Sequence, residues 1–295
     1  MSIDLRAQTA EQDHGYIVEC DLGYPEELHD EHSDYPLAPE RMIVDTELLS
    51  AEQIEIDSKY QSTHVRSPKL VPNLFAKEKY ACHHMNLKFY LEHGMKLRKI
   101  HRVIEFHQSA WLAPYIEKNS TLRAAAKNDF EKDFFKLMNN SVYGETTENV
   151  LNRKDIRLEH DSAKARKLIN KPHCLGFRIF TPEIAAVALQ KTATKVEKPT
   201  YVGFAVLEYA KLLMYDFHYN HVLKQWPNGK ARLVLTDTDS LLYEIETEDM
   251  YEDIRSNPAL HSWFDFSKYP KEDHPLASLY DDTNKMVIGK MKDES

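Results

Sequence analysis

Asp237 and Asp239 stand two apart in Thr236-Asp237-Thr238-Asp239-Ser240, with apolar stretches on both sides. In an extended chain residues i and i+2 point the same way, so the two carboxylates are expected side by side. Such a pair repels itself, and burying it without a partner is costly. A divalent cation resolves both problems, and Mg²⁺ takes one or two carboxylates while leaving positions for phosphate. The competing reading is a solvated Asp-rich turn, a common structure. A second cluster lies upstream, in Lys136-Leu-Met-Asn-Asn140-Ser141-Val-Tyr143-Gly144. Lys132, Lys136, Asn140 and Tyr143 recur at helical spacing and share one face. A lysine there can meet a triphosphate as a point charge, and a tyrosine one turn on can pack against a sugar or base. Lys127 adds charge ahead of them. The competing reading is an amphipathic helix whose lysines face water.

Both clusters need elements to hold them. Asn128-Asp129-Phe130-Glu131 has the pattern of a capping box, and the helix it opens is expected to run to about Val142. Phe130, Phe134, Leu137 and Ser141 form the stripe expected to pack. A preceding helix over Trp111 to Lys118, joined near Asn119–Ala126, would complete a basic helical hairpin. Arg232 to Leu235 and Leu241 to Glu246 read as two strands with the acids at the tip of their hairpin. Thr200 to Leu223 reads as one long helix, with Phe204, Leu207, Ala210, Met214 and Phe217 as its buried stripe. Upstream, Tyr16 to Cys20 reads as a strand, Asn86 to His93 as a helix stopped by Gly94, and Lys99 to Phe106 as a strand. Residues 46–75 read as loop or surface, and 153–190 as short strands and turns.

The chain has 295 residues and a net charge of −9, which by itself argues against a nucleic-acid binder. The total hides a division: residues 1–60 carry −13, residues 61–234 carry +13, and residues 235–295 carry −9. The lysines of the second cluster lie in the basic body, and Asp237 and Asp239 open the acidic tail. The three cysteines Cys20, Cys82 and Cys174 form no Cys-x-x-Cys pair, which excludes a zinc finger or a disulfide framework and favours a reducing, intracellular setting. The eight glycines form no phosphate-binding loop. No apolar run is long enough for a membrane span.

The remaining candidates are weaker. His29-x-x-His32 with Asp30 and Asp34 has metal-ligand residue types, but reads as a solvated turn, as do His83-His84 and His218-x-x-His221. Tyr16, Tyr24 and Tyr35 suit a stacking platform for single strands, although aromatic side chains mainly bury area, and packing is the expectation.

Taken together, Lys136-x-x-x-Asn140-Ser141-x-Tyr143-Gly144 resembles motif B of family B DNA polymerases, and Asp237-Thr238-Asp239-Ser240 between strands resembles their motif C. The chain is most similar in kind to the protein-primed polymerases of Maverick/Polinton transposons and their viral relatives. The stretches that carry this are Gly15 to His29, Asp34-Tyr-Pro-Leu-Ala-Pro-Glu40, Asn128 to Lys136, Leu213-Met-Tyr-Asp-Phe-His-Tyr219 and Ile288 to Glu294. The resemblance implies an α+β fold: a right-hand palm, with an antiparallel sheet and packed helices, plus a helical fingers hairpin. It implies an acidic segment over 1–75, palm over 76–110, fingers over 111–150 and palm again over 151–295. It makes Asp237 and Asp239 metal ligands for two Mg²⁺ ions. Lys127, Lys132, Lys136, Asn140 and Tyr143 become nucleotide contacts, and Ser141 and Gly144 DNA contacts. The implied partners are primer–template DNA, dNTPs and a terminal protein, with no membrane.

The chain also departs from that pattern. A third carboxylate, from motif A, is expected before the Gly15 block and is missing. Asp21-Leu22-Gly23-Tyr24-Pro25 has its look but too short a spacing, so Asp21 reads as a decoy. Exonuclease acids and a thumb are likewise not seen, and Glu145 takes a place where relatives carry Lys, adding a like charge near DNA phosphate. The expectation is therefore a truncated polymerase, inactive alone. The alternative is a transposon-derived, non-catalytic remnant with weak nucleic-acid binding.

Overall fold

The computed structural model describes residues 9–60 and 67–294. In chain order the strands are β1 (His14–Gly23), β2 (Glu40–Met42), β3 (Lys69–Val71), β4 (Lys77–His83), β5 (Lys96–His107), β6 (Lys154–Glu159), β7 (Cys174–Thr181), β8 (Ile184–Gln190), β9 (Ala231–Asp237) and β10 (Ser240–Ile245). The helices are α1 (His29–His32), α2 (Ala51–Tyr60), α3 (His84–Glu92), α4 (Ala113–Ala125), α5 (Asp129–Thr147), α6 (Ser162–Ile169), α7 (Thr200–Asp216), α8 (Leu223–Gln225), α9 (Met250–Ser256) and α10 (Pro258–His261). The strand pairs of every sheet are antiparallel, and strands and helices mix along the chain as in an α+β fold. The chain divides into two compact units, residues 1–132 with 207–295, and residues 133–206.

The first unit is built on β1, which pairs with β4 on one side and β5 on the other. Val18, Cys20 and Leu22 alternate along β1 and are buried, the period of two that a half-buried strand requires. They meet Leu87, Phe89 and Tyr90 of α3, together with Tyr24, Leu37, Tyr215 and Tyr219. Each such side chain contributes about 1.5–3 kcal/mol by leaving water. α3 is capped by His83, whose ring accepts the Met85 N–H, and Gly94 at φ 93° ends it, as expected. A second core gathers Phe217, Val222, Trp226, Ala231, Ile254, Leu260, Phe266 and Leu279.

Three expectations are refined or corrected here. Residues 51–60, expected as loop or surface, form a surface helix, α2, with no buried residue; residues 61–66 lie outside the described residues. α4 continues through Asn119 to Ala125, so the connection to α5 shortens to residues 126–128. Along Thr200–Gln225 the helix holds a π-helical turn at Phe217–Val222, and its buried set differs from the predicted stripe. Leu207 and Ala210 are exposed, while Glu208, Tyr215, His218 and Tyr219 are buried. A π turn shifts the helical phase. Tyr215 and Tyr219 then serve the first core, and Phe217 and Val222 the second.

The second unit consists of a three-stranded sheet in the order β6-β8-β7, with α6 alongside and the facing ends of α5 and α7. Val187 and Leu189 of the central strand are buried, as is Ala165 of α6. Asp161 caps α6 by accepting the Ala163 and Lys164 N–H groups. Gly203 of α7 lies against α5: a Cβ there would overlap Thr147 Cγ2 and come within 2.8 Å of Thr146 Oγ1. Gly203→Ala is therefore expected to destabilise by about 1–3 kcal/mol through overpacking, despite the helix propensity of alanine. A urea midpoint equal to or above that of the parent would contradict this.

Candidate functional site

The acidic hairpin belongs to the first unit. Asp237 and Ser240 pair across its end, so Thr238 and Asp239 form a two-residue turn. Thr238 has φ 54°, and the Asp239 N–H donates to the Asp237 carbonyl at 2.6 Å. A β-branched residue at positive φ is strained, and such strain recurs at functional sites. Asp239 thus sits at the hairpin tip, as expected, but the turn at Thr238 replaces the extended backbone on which the side-by-side placement of the two carboxylates was argued. Thr238 Oγ1 donates to Asp237 Oδ1 at 3.1 Å, and Ser240 Oγ to the Asp237 carbonyl at 3.1 Å. Both carboxylates are exposed.

The hairpin is anchored below its tip. Ala231 and Leu233 are buried. Asp34 Oδ2 accepts the Leu233 N–H at 3.0 Å, and the Tyr35 hydroxyl hydrogen-bonds Thr236. On β10, Tyr243 stacks on His218 and its hydroxyl lies 2.9 Å from His218 Nδ1. The π turn is what brings His218, between Phe217 and Tyr219, onto this strand. Asp34 is exposed, as expected of a surface turn, but one of its oxygens serves as a structural acceptor.

The histidine candidates are also corrected. His32, His83, His84 and His218 are buried, not solvated. His32 sits between Tyr24 and Tyr219, with the Tyr24 hydroxyl 2.8 Å from its Nδ1. Burial removes the hydration an imidazolium needs, and pushes His32 and His218 down to about 4 and His83 to about 3. Tyr24 packs in the core, as expected, and Tyr35 lies against Tyr215. Asp21 accepts the Lys79 N–H at 2.8 Å and lies 2.7 Å from His101 Nε2. Those hydrogen bonds hold its carboxyl below the usual range. Its Oδ1 thus ties β1 to both neighbouring strands.

The second cluster lies on α5. Asn128 Oδ1 accepts the Glu131 N–H at 2.9 Å, while Glu131 reaches back to the Lys127 N–H at 3.0 Å, one residue before the position a capping box uses. The helix continues past Val142 to Thr147. Lys132 pairs with Asp129 at 3.0 Å. Lys136, Asn140, Ser141 and Gly144 are exposed and Tyr143 is half-buried. An added Cβ at Gly144 would find nothing within 4 Å. The other stripe does not pack as expected: Phe130, Phe134 and Leu137 are 79%, 46% and 63% exposed. Ser141 donates to its own helix at Met138 O.

Glu145 is not the free like charge the sequence suggested. It pairs with Lys198, which also holds Glu148 at 3.0 Å. Arg153 donates to Glu148 through Nε at 2.7 Å, and these hydrogen bonds hold Glu148 down to about 2.

Sequence reasoning missed the polar core beneath the sheet. Glu208 accepts the His83 N–H at 3.0 Å and pairs with Lys211, and Lys77 Nζ is buried 3.0 Å from Glu40.

Among the described residues no group of three or more His, Cys, Asp or Glu side chains converges to hold a metal, and no helix is long and apolar enough to cross a membrane. No match was found among curated proteins or solved structures. The sequence model of the family described as DNA polymerase type B, organellar and viral, matches residues 23–222. That span contains α5 with its Lys136–Gly144 run and stops before the Asp237–Asp239 hairpin. Covering more than half of the chain, the match shows that this protein belongs to the organellar and viral type B DNA polymerases.

Proposed function

We propose that the chain supplies the nucleotide-gripping helix and part of the metal-binding turn of a template-directed DNA polymerase. The observation that carries this is α5, which holds Lys136, Asn140, Tyr143 and Gly144 within three turns, three of them exposed. Lys136, with Lys132 and Lys127 nearer the helix start, would face the incoming triphosphate. Tyr143 and Asn140 would sit against the nascent base pair. The open space at Gly144 and the small Ser141 would let a DNA backbone approach closely. In this reading α5 belongs to the fingers and the first unit's sheet and hairpin to the palm. A primer 3′-OH, or a protein hydroxyl at initiation, would be the nucleophile.

Asp237 and Asp239 have the hard oxygen donors that suit Mg²⁺, and their exposed turn leaves them free to bind it. They make two ligands where two-metal transfer needs a third carboxylate, and the described residues bring no third one to them. Bound Mg²⁺ would stabilise the attacking and leaving oxygens. A second reading is a non-catalytic nucleic-acid-binding module.

The test is binding of a fluorescent dNTP with Mg²⁺, followed by primer extension. Lys136→Ala is expected to weaken nucleotide binding about tenfold, the loss of one charge-assisted contact. Unchanged binding would remove α5 from the site. Extension by this chain alone is expected to be absent. Extension lost on Asp239→Ala would show that the site is complete after all, while salt-sensitive binding of primed DNA that ignores Lys136 would favour the second reading.

A further inference from the structure

In the second unit three strand ends meet. β8 is central and antiparallel to both neighbours, so the start of β6, the start of β7 and the end of β8 lie at one end of the sheet. Lys154 pairs with Gln190, Asp155 with Leu189, and Cys174 also with Leu189. This end carries an open groove of about 370 Å³, lined by Asp155, Arg157, His173, Gln190, Lys191 and Thr192, with Leu189 and Ala193 as its apolar part.

We propose that this groove binds a phosphate group, carried either by a nucleic-acid strand or by a free polyphosphate. The lining supplies a guanidinium, an ammonium, an imidazole, a hydroxyl and an amide, against a single carboxylate. That carboxylate is already committed: Asp155 Oδ2 accepts from Arg157 Nε at 3.0 Å. No other hydrogen bond of the guanidinium forms among the described residues, so its terminal N–H groups remain for a planar, bidentate contact with phosphate oxygens. The ion pair and the strand hold Arg157 in place, and Leu189 is buried beneath. The Gln190 N–H donates to the His173 carbonyl at 2.8 Å, which joins the end of β8 to the start of β7. Lys191 and Thr192 follow directly, so the cation and the hydroxyl leave the strand end at the same rim. None of these residues belongs to the nucleotide grip on α5 or to the acidic hairpin, so the site stands or falls apart from the proposed polymerase role.

The experiment uses the full chain carrying Lys136→Ala, so that the α5 grip does not contribute. Inorganic pyrophosphate is titrated calorimetrically, and a labelled single-stranded oligonucleotide by anisotropy. Lys191→Gln and Arg157→Gln are each expected to weaken pyrophosphate binding about tenfold. Lys195→Gln, an exposed lysine already paired with Glu197, is expected to change nothing. Displacement of the oligonucleotide by pyrophosphate would assign the groove to a nucleic-acid strand; pyrophosphate binding without displacement would assign it to a free polyphosphate. Absence of pyrophosphate binding would overturn the proposal, as would equal losses from Lys191→Gln and Lys195→Gln, which would indicate general charge attraction only. Should Arg157→Gln lower the thermal midpoint, Lys191→Gln decides, because that side chain lies beyond the end of β8.

Discussion

Acidification from pH 7 to pH 4 is expected to destabilise the first unit by several kcal/mol, with most of the loss falling below pH 6.5. The cause is a set of histidines buried in neutral form. His83 Nδ1 accepts the Met85 N–H, and His84 Nδ1 accepts the Tyr16 N–H at 3.1 Å. The Tyr24 hydroxyl accepts the Leu37 N–H, which leaves its own proton to donate to His32 Nδ1. A proton on any of these nitrogens would displace a hydrogen bond and place a charge in the core. The folded values for His32, His83 and His218 lie at about 4, 3 and 4, below the ordinary 6.5. Above pH 6.5 the rings are neutral folded or unfolded, and the stability is intact. Below it the unfolded chain takes up protons that the native state refuses, at about 1.4 kcal/mol per pH unit for each ring. The loss is complete only as pH falls through the folded values. Glu148 adds to this in the second unit, since its folded value near 2 makes its contribution fade as pH drops below the ordinary 4.5. Urea midpoints at pH 7, 6 and 5 provide the measurement. Midpoints that do not fall between pH 7 and 5 would mean that the rings are not buried neutral.

Glu208→Ala is expected to cost about 3–5 kcal/mol, the range for removing one partner of a buried ion pair. Glu208 is on α7, where a water-facing residue is the default for its type, yet it is fully buried. Its carboxylate takes the N–H of His83, the residue that caps α3, and pairs with Lys211. Its backbone carbonyl takes Asn86 Nδ2 at 2.9 Å. The alanine variant would leave a buried N–H and a lysine without their acceptor at the point where β4 turns into α3. Glu208→Gln keeps an acceptor for the N–H and removes only the charge, so its loss should be clearly smaller. Chemical denaturation of the two variants reads this directly, and a loss below about 1 kcal/mol for the alanine would contradict the arrangement.

The elements nearest the proposed site were legible because they rest on local physics. The cap at Asn128, the strand at Tyr16–Cys20, the stop at Gly94 and the hairpin around Asp237 each depend on residues within a few positions of one another. Each appears in the structure with shifts of a few residues. Legibility failed where a side chain's environment comes from distant parts of the chain. His83 and Glu208 are buried because strand, helix and helix meet there, and no local pattern marks that meeting. The stripe of α7 failed for a related reason: a helix between two cores, with a π turn inserted, has no single buried face. Phe130, Phe134 and Leu137 failed in the opposite sense, having the spacing of a packed face yet remaining largely exposed.

The amino-acid sequence by itself determined the family and the two clusters that carry it, because residue type and spacing within a short run are enough for a lysine-bearing helix and an acidic turn. Tertiary structure decided which charges are available to act. It committed Asp21 to His101, Asp34 to the hairpin backbone and Glu145 to Lys198, and left Lys136, Asp237 and Asp239 exposed. Charge is written in the sequence, but its availability depends on what packs beside it, and that is set by contacts between residues far apart in the chain.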